Sequence, residues 1–107
     1  MMMNKPTAIV LPILERNIPF ANTVVEKLNH AGIPSVLGDL RNDSRTELEK
    51  IGYRIRQAMI DNIPDILIVG DKEETNKTVN HYKPNASKER PLPECISLIK
   101  ESMKETL

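Results

Sequence analysis

The sequence predicts an α/β protein: a mixed sheet whose first three strands run parallel, with helices packed over it. Three observations carry this. Residues 63–70 (IPDILIVG) form an almost wholly apolar run of strand length, the pattern of a strand buried on both faces. Ala21, Val24, Val25 and Leu28 follow the i, i+3, i+4, i+7 spacing of a helix face, and Leu48, Ile51, Ile55 and Met59 with Ala58 form a second such stripe. The segments follow the order strand, helix, strand, helix, strand, strand, helix, and right-handed crossovers then make the first three strands parallel.

Each element has a local reason. Residues 7–13 (TAIVLPI) are a short apolar run expected to be a buried strand. Pro19 suits the first turn of a helix, with Asn17 or Ile18 as its cap, and Gly32 with Pro34 ends that helix. His30 falls in the last turn, where a protonated imidazole meets the negative end of the dipole. Residues 33–37 form a second brief strand. Ser44-Arg45-Thr46-Glu47 fits a capping box that opens the second helix. Gly52 sits inside that helix at a cost of about 1 kcal/mol relative to Ala, which close helix–sheet packing would explain. After the 63–70 strand comes a polar turn, then an alternating, antiparallel strand at 78–83. Residues 84–93 are Pro-rich and polar, and are expected to be a loop. Leu92, Cys95, Ile96, Ile99 and Met103 mark the apolar face of a final helix.

The chain has 107 residues, which fits one domain over 1–107 with 1–6 expected to be disordered. Its 39% hydrophobic and 28% charged content suits a soluble globular chain. No apolar run has the length of a membrane span, and the N-terminus lacks the apolar core of a signal peptide. The lone Cys95 cannot form an internal disulfide, so a reducing, cytoplasmic setting is expected and the thiol is expected to pack. Fifteen cations balance fifteen anions. Strong nonspecific affinity for nucleic acid needs a basic excess, and residues 39–74 hold six Lys/Arg against nine Asp/Glu.

Chemistry-bearing motifs are sparse. There is no Gly-x-Gly-x-x-Gly, no P-loop and no nucleophile turn, and the two histidines are too separated for a zinc site. No catalytic residue, metal or cofactor is therefore assigned. Three polar blocks stand out instead: Gly38-Asp39-Leu40-Arg41-Asn42, Ile51-Gly52-Tyr53-Arg54-Ile55-Arg56-Gln57-Ala58, and Val69-Gly70-Asp71-Lys72-Glu73. They fall at strand ends or along one helix, where an α/β sheet presents its ligand edge.

Together with Glu49-Lys50-Ile51-Gly52, Ile63-Pro64, Leu11-Pro12-Ile13 and residues 28–33 (LNHAGI), these blocks resemble the C-terminal anticodon-binding domain of class II aminoacyl-tRNA synthetases, the threonyl branch most closely. The resemblance covers about the first three-quarters of the chain. It implies a three-layer α/β fold with a mixed, mostly parallel five-stranded sheet and three helices. It also implies a function: holding the anticodon loop of tRNA, with the catalytic domain elsewhere in the parent threonine–tRNA ligase. Unpaired loop bases expose hydrogen-bonding edges that amides and carboxylates can read. By resemblance Asn42 and Glu73 take base-reading positions, and Arg41, Arg54 and Lys72 are candidates for phosphate contacts.

The chain departs from the family pattern at three places. Residues 43–48 are inserted and add two acidic groups. Asn62 stands where a basic residue is usual. Tyr82 replaces a base-reading Arg; its ring can stack on a base but cannot make the bidentate guanidinium contact. Structural roles compete at every position: a turn or cap for Asn42, a solvated turn for Glu73, a solvated helix face for Arg54 and Arg56, and cover for the sheet edge for Tyr82. Two further functional readings therefore stand beside tRNA binding, a free-standing or degenerate relative that binds a protein or dimerises, and a small independent α/β enzyme.

Overall fold

A computed structural model describes residues 6–38, 47–83 and 87–105. Five strands form one sheet: β1 (Ala8–Pro12), β2 (Ser35–Leu37), β3 (Asp65–Val69), β4 (Thr78–Tyr82) and β5 (Lys88–Pro91), in spatial order β2-β1-β3-β4-β5. β1 pairs in parallel with both β2 and β3, whereas β3–β4 and β4–β5 are antiparallel. Four of the five strands thus point one way, and the sheet is mixed and mostly parallel. The helices are α1 (Ile18–His30), α2 (Glu47–Ile60), a short α3 (Asp71–Asn76) and α4 (Leu92–Glu105).

The alternation of side chains along the strands sorts the interior into two layers. Ala8 and Val10 of β1, Leu67 and Val69 of β3, and Val79 of β4 pack with Ala21, Val24 and Leu28 of α1 and with Leu92, Cys95 and Ile99 of α4. On the other face Leu11, Ile66 and Ile68 pack with Ala58, and Ile51 and Ile55 of α2 lie against them. β3 is buried along its whole length, as its apolar run predicts, and it is the middle strand.

Both long helices before β3 end on the same motif. Gly32 has φ +87°, and Ile33 N–H donates to the Leu28 carbonyl at 3.0 Å. Asn62 has φ +61°, and Ile63 N–H donates to the Ala58 carbonyl at 3.0 Å. Each left-handed residue closes the free carbonyls of its helix. The Asn at position 62, where the family pattern is basic, is therefore a helix stop. At the β2 edge, Asn29 holds the Ser35 backbone from both sides, its Oδ1 accepting from the amide at 2.9 Å and its Nδ2 donating to the carbonyl at 3.3 Å.

Four expectations need correction. The polar turn after β3 is helical, because Gly70 and the acidic residues behind it open α3. The Pro-rich loop contains β5, which pairs with β4 across Thr78–Pro91, Val79–Arg90, Asn80–Glu89 and His81–Lys88. Its charged residues and terminal proline suit an edge strand and conceal it from propensity reasoning. Met59 is 49% exposed and Ile60 70%; Ala58, seven residues after Ile51, takes the inward position. Close packing does not explain Gly52, since a Cβ there would meet only the Arg56 guanidinium, at 3.8 Å. The Ser44–Glu47 capping box lies outside the described residues.

Gly52 therefore carries the backbone entropy cost without a steric return. Gly52→Ala is expected to stabilise the fold by about 0.5–1 kcal/mol, read from urea denaturation midpoints at constant m.

Candidate nucleic-acid interface

β1, β2 and β3 end at one edge of the sheet. Gly38 N–H donates to the Val10 carbonyl at 2.9 Å at the end of β2. Arg41 and Asn42 themselves lie outside the described residues. β1 continues past Pro12 with Ile13 N–H donating to the Val69 carbonyl at 2.9 Å, then turns through a single 3-10 turn at Glu15–Asn17 into α1. β3 passes through Gly70 into α3. A Cβ at Gly70 would stand 2.7 Å from the tip of the Ile13 side chain, so any larger residue there would have to displace that tip.

Asn17 joins those exits. It is fully buried; its Oδ1 accepts from the Leu14 amide at 3.1 Å, and its Nδ2 donates to Asp71 Oδ1 at 2.9 Å and Glu74 Oε1 at 3.1 Å. The residue expected to cap α1 does stand at the N-cap position, but its side chain makes no cap bond there. It ties the 3-10 turn to α3 instead. Asp71 also accepts two hydrogen bonds from the Arg16 guanidinium, through Nε and Nη2. These bonds, Arg16's first and Asn17's second, pull the Asp71 carboxyl down to about 2. Both Arg16 and Asp71 are solvent-exposed, so water and salt screen the pair.

Glu73 is not a solvated turn residue. It is 7% exposed, and its Oε1 accepts from the Gly70 amide at 2.9 Å. This is one half of a capping box, the half that a glycine N-cap allows. Lys72, its neighbour, is exposed, and its Nζ lies 3.1 Å from Glu89 Oε1. Glu89 on β5 also accepts from the Thr78 hydroxyl and, at 3.2 Å, from Asn76 Nδ2. Thr78 first, then Asn76 and Lys72, hold this carboxyl below its usual range.

The remaining candidates lie on the α2 side. Arg54 is half-buried on α2, its guanidinium carbon 5.8 Å from the centre of the Tyr53 ring and its buried Nε without a hydrogen-bond partner. Arg56 is exposed, as a solvated face requires. Tyr82 is half-buried against Ile66 and Ile68 and sits on an interior strand, so it covers the α2-side core and not the sheet edge. Asn80, two residues earlier on the same strand face, has a buried Oδ1 with no partner. The structure thus gathers Lys72 and Glu73 with Arg16, Asn17 and Asp71 at the strand exits, while Arg54 and Tyr82 belong to the α2 face.

Sequence reasoning missed two polar devices. One is the Asn17 clamp. The other is a buried pair on the α1/α4 side, in which His81 Nε2 lies 2.8 Å from Asp65 Oδ1, with Nδ1 unpartnered. An ionised Asp65 can only accept, so Nε2 carries the proton. The period-two pattern of β4 put His81 on the inward face beside Val79, a signal present in the sequence. Cys95 is buried nearby; burial first, and the Asp65 charge second, push its thiol up to about 12. A thiol so held stays protonated at neutral pH and is no nucleophile. Among the described residues, no group of three or more His, Cys, Asp or Glu could hold a metal, and no helix is long and apolar enough to cross a membrane.

Residues 7–101 match the family described as "Anticodon binding domain", and the chain belongs to it. It is 52% identical over 64 residues to threonine–tRNA ligase of Symbiobacterium thermophilum, covering 60% of this chain and 9% of that one. It is 37% identical over 84 residues to the Clostridium perfringens threonine–tRNA ligase, covering 78% and 12% respectively. The chain thus spans about a tenth of the length of these relatives. The fold is shared with the RNA binding domain of threonyl-tRNA synthetase from Cryptosporidium parvum, at TM-score 0.76 and 21% identity over 90% of this chain and 23% of that chain. It is also shared with histidyl-tRNA synthetase from Nostoc, at TM-score 0.78 and 17% identity over 94% of this chain and 23% of that one.

Two outcomes follow from the strand-exit geometry. Glu73→Ala removes the acceptor for a buried amide and should cost about 1–2 kcal/mol, whereas Glu73→Gln keeps a carbonyl oxygen for Gly70 and should cost less than half as much in thermal unfolding. The second concerns acid. Asp71 titrates lower in the folded chain, at about 2 against an ordinary 3.8, so its pairing stabilises fully above about pH 4 and is lost as pH falls to 2. The difference in melting temperature between the native chain and Asp71→Asn should be constant above pH 4, close by pH 2, and shrink in high salt.

Proposed function

We propose that this chain recognises the anticodon loop of a tRNA, as the C-terminal domain of a threonyl-tRNA-synthetase-like protein acting in cytoplasmic protein synthesis. The observation that carries the reading is the family match over 7–101, supported by Gly70-Asp71-Lys72-Glu73 at the third strand exit, by Lys50-Ile51-Gly52-Tyr53 on α2, and by Arg41-Asn42 in the sequence. In this reading Asn42 and Glu73 read bases, Arg41, Arg54 and Lys72 contact phosphates, and Tyr82 offers a ring for stacking. Similarity to threonine–tRNA ligases supports threonine specificity, and a synthetase catalytic domain is the partner the reading calls for. The clamp formed by Asn17 gives Lys72 and Glu73 a fixed base, which base reading requires.

A second reading has its own support. Arg16 and Lys72, cations at the strand exits, are already paired with Asp71 and Glu89. A surface that neutralises itself suits a relative serving as a protein-interaction or dimerisation module.

Fluorescence anisotropy with threonine tRNA, an anticodon-mutated copy and a salt series separates the two. Anticodon recognition predicts preference for the native anticodon and a salt slope of about −0.7 per phosphate contact on a single-stranded loop. Glu89→Gln should tighten binding severalfold by freeing Lys72, and Glu73→Gln should weaken it while leaving the fold intact. Equal affinity for both anticodons, or none at low salt from a folded sample, removes base reading from this chain.

A further inference from the structure

A groove of about 620 Å³ opens on the sheet face covered by α1 and α4, away from α2. α1 contributes Phe20, Thr23 and Lys27; α4 contributes Leu92, Pro93 and Ile96; and Lys77 reaches in from the residue after α3. Its floor is apolar, and Phe20, the only phenylalanine of the chain, sits half-buried here and not in the centre of the core. Among the described residues both charged groups of the lining are cations and no carboxylate lines it, although the chain as a whole is neutral.

Lys77 adds a second observation. It adopts the left-handed conformation, φ 58° and ψ 43°, which costs a side chain with a Cβ about 1–2 kcal/mol relative to the right-handed one. In that conformation its ammonium lies 5.8 Å from the centre of the Phe20 ring. One cation is thus held at the Phe20 end. The other, Lys27, stands seven residues further along α1, about 10 Å up the axis at 1.5 Å per residue.

We propose that this groove docks an acidic amphipathic helix from a partner protein. Apolar side chains of that helix would lie on Phe20, Leu92 and Ile96, and carboxylates about two turns apart would meet Lys77 and Lys27. The spacing matches a helix with acids at i and i+7 and apolar residues between them. A small ligand with one anion satisfies only one lysine. The lining offers little for reading base edges, because among the described residues its one neutral side-chain hydrogen-bonding group is the Thr23 hydroxyl, which donates to the Pro19 carbonyl at 3.2 Å. The inference does not depend on tRNA recognition, which uses other residues.

The test is two-dimensional NMR of the ¹⁵N-labelled chain, titrated with a synthetic helical peptide about four turns long that carries leucines on one face and glutamates two turns apart. A second peptide has lysines in place of the glutamates, and an RNA hairpin is the third titrant. The glutamate peptide should shift the amides of Phe20, Lys27 and Ile96, bind at least tenfold more tightly than the lysine peptide, and weaken with salt. The double reversal Lys27→Glu with Lys77→Glu, at two exposed positions that leave the core untouched, should invert that preference. No shift of those amides at millimolar glutamate peptide overturns the proposal. So does equal affinity for the two peptides, or an RNA hairpin that shifts the same amides more strongly than the peptide.

Discussion

Burial of β3 on both faces is the constraint on which the rest of the molecule depends. Five consecutive residues, Asp65–Val69, are buried, and the strand is hydrogen-bonded to β1 on one side and β4 on the other. A strand in that position needs a helix layer over each face, and the chain supplies α1 with α4 on one and α2 on the other. The crossovers β1–α1–β2 and β2–α2–β3 follow, since only a long connection can bring the next strand back parallel. The one polar residue in the strand, Asp65, survives burial because His81 on the neighbouring strand meets it.

The same arrangement makes the candidate functional edge. Three parallel strands end together, so their outgoing loops share one side of the sheet, which is where ligands meet open α/β sheets. Without further ties those loops would move independently. Asn17 removes that freedom by making three side-chain hydrogen bonds between the first exit and the third. Glu73 adds a second tie within the third exit. The two residues that stiffen the edge are uncharged or buried, and the exposed Arg16 and Lys72 beside them are paired with Asp71 and Glu89.

Charge is distributed differently on the α1/α4 side. There, among the described residues, the apolar groove is lined by lysines and no acidic residue.

The sequence by itself determined the element types where period and burial agree: β1, β3, α1 and α4 follow from runs and stripes of apolar residues. It also determined the helix stop at Gly32, whereas the left-handed stop at Asn62 came from the structure. The family-bearing blocks were legible as well, because their position at strand ends follows from element order alone. Tertiary structure decided the rest. β5 is a strand because β4 offers it a pairing edge, and its residues 88–91 (KERP) carry no strand signal of their own. Met59 turns outward because the small Ala58 fits against the sheet. Asn17 becomes a clamp and Tyr82 a cover for the α2-side core, each by meeting groups from other parts of the fold, while Glu73 caps the local Gly70 amide. Period and propensity act between near neighbours, whereas the Asn17 partners Asp71 and Glu74 lie 54 and 57 residues away. Such pairings exist only once the sheet has brought distant strand exits together.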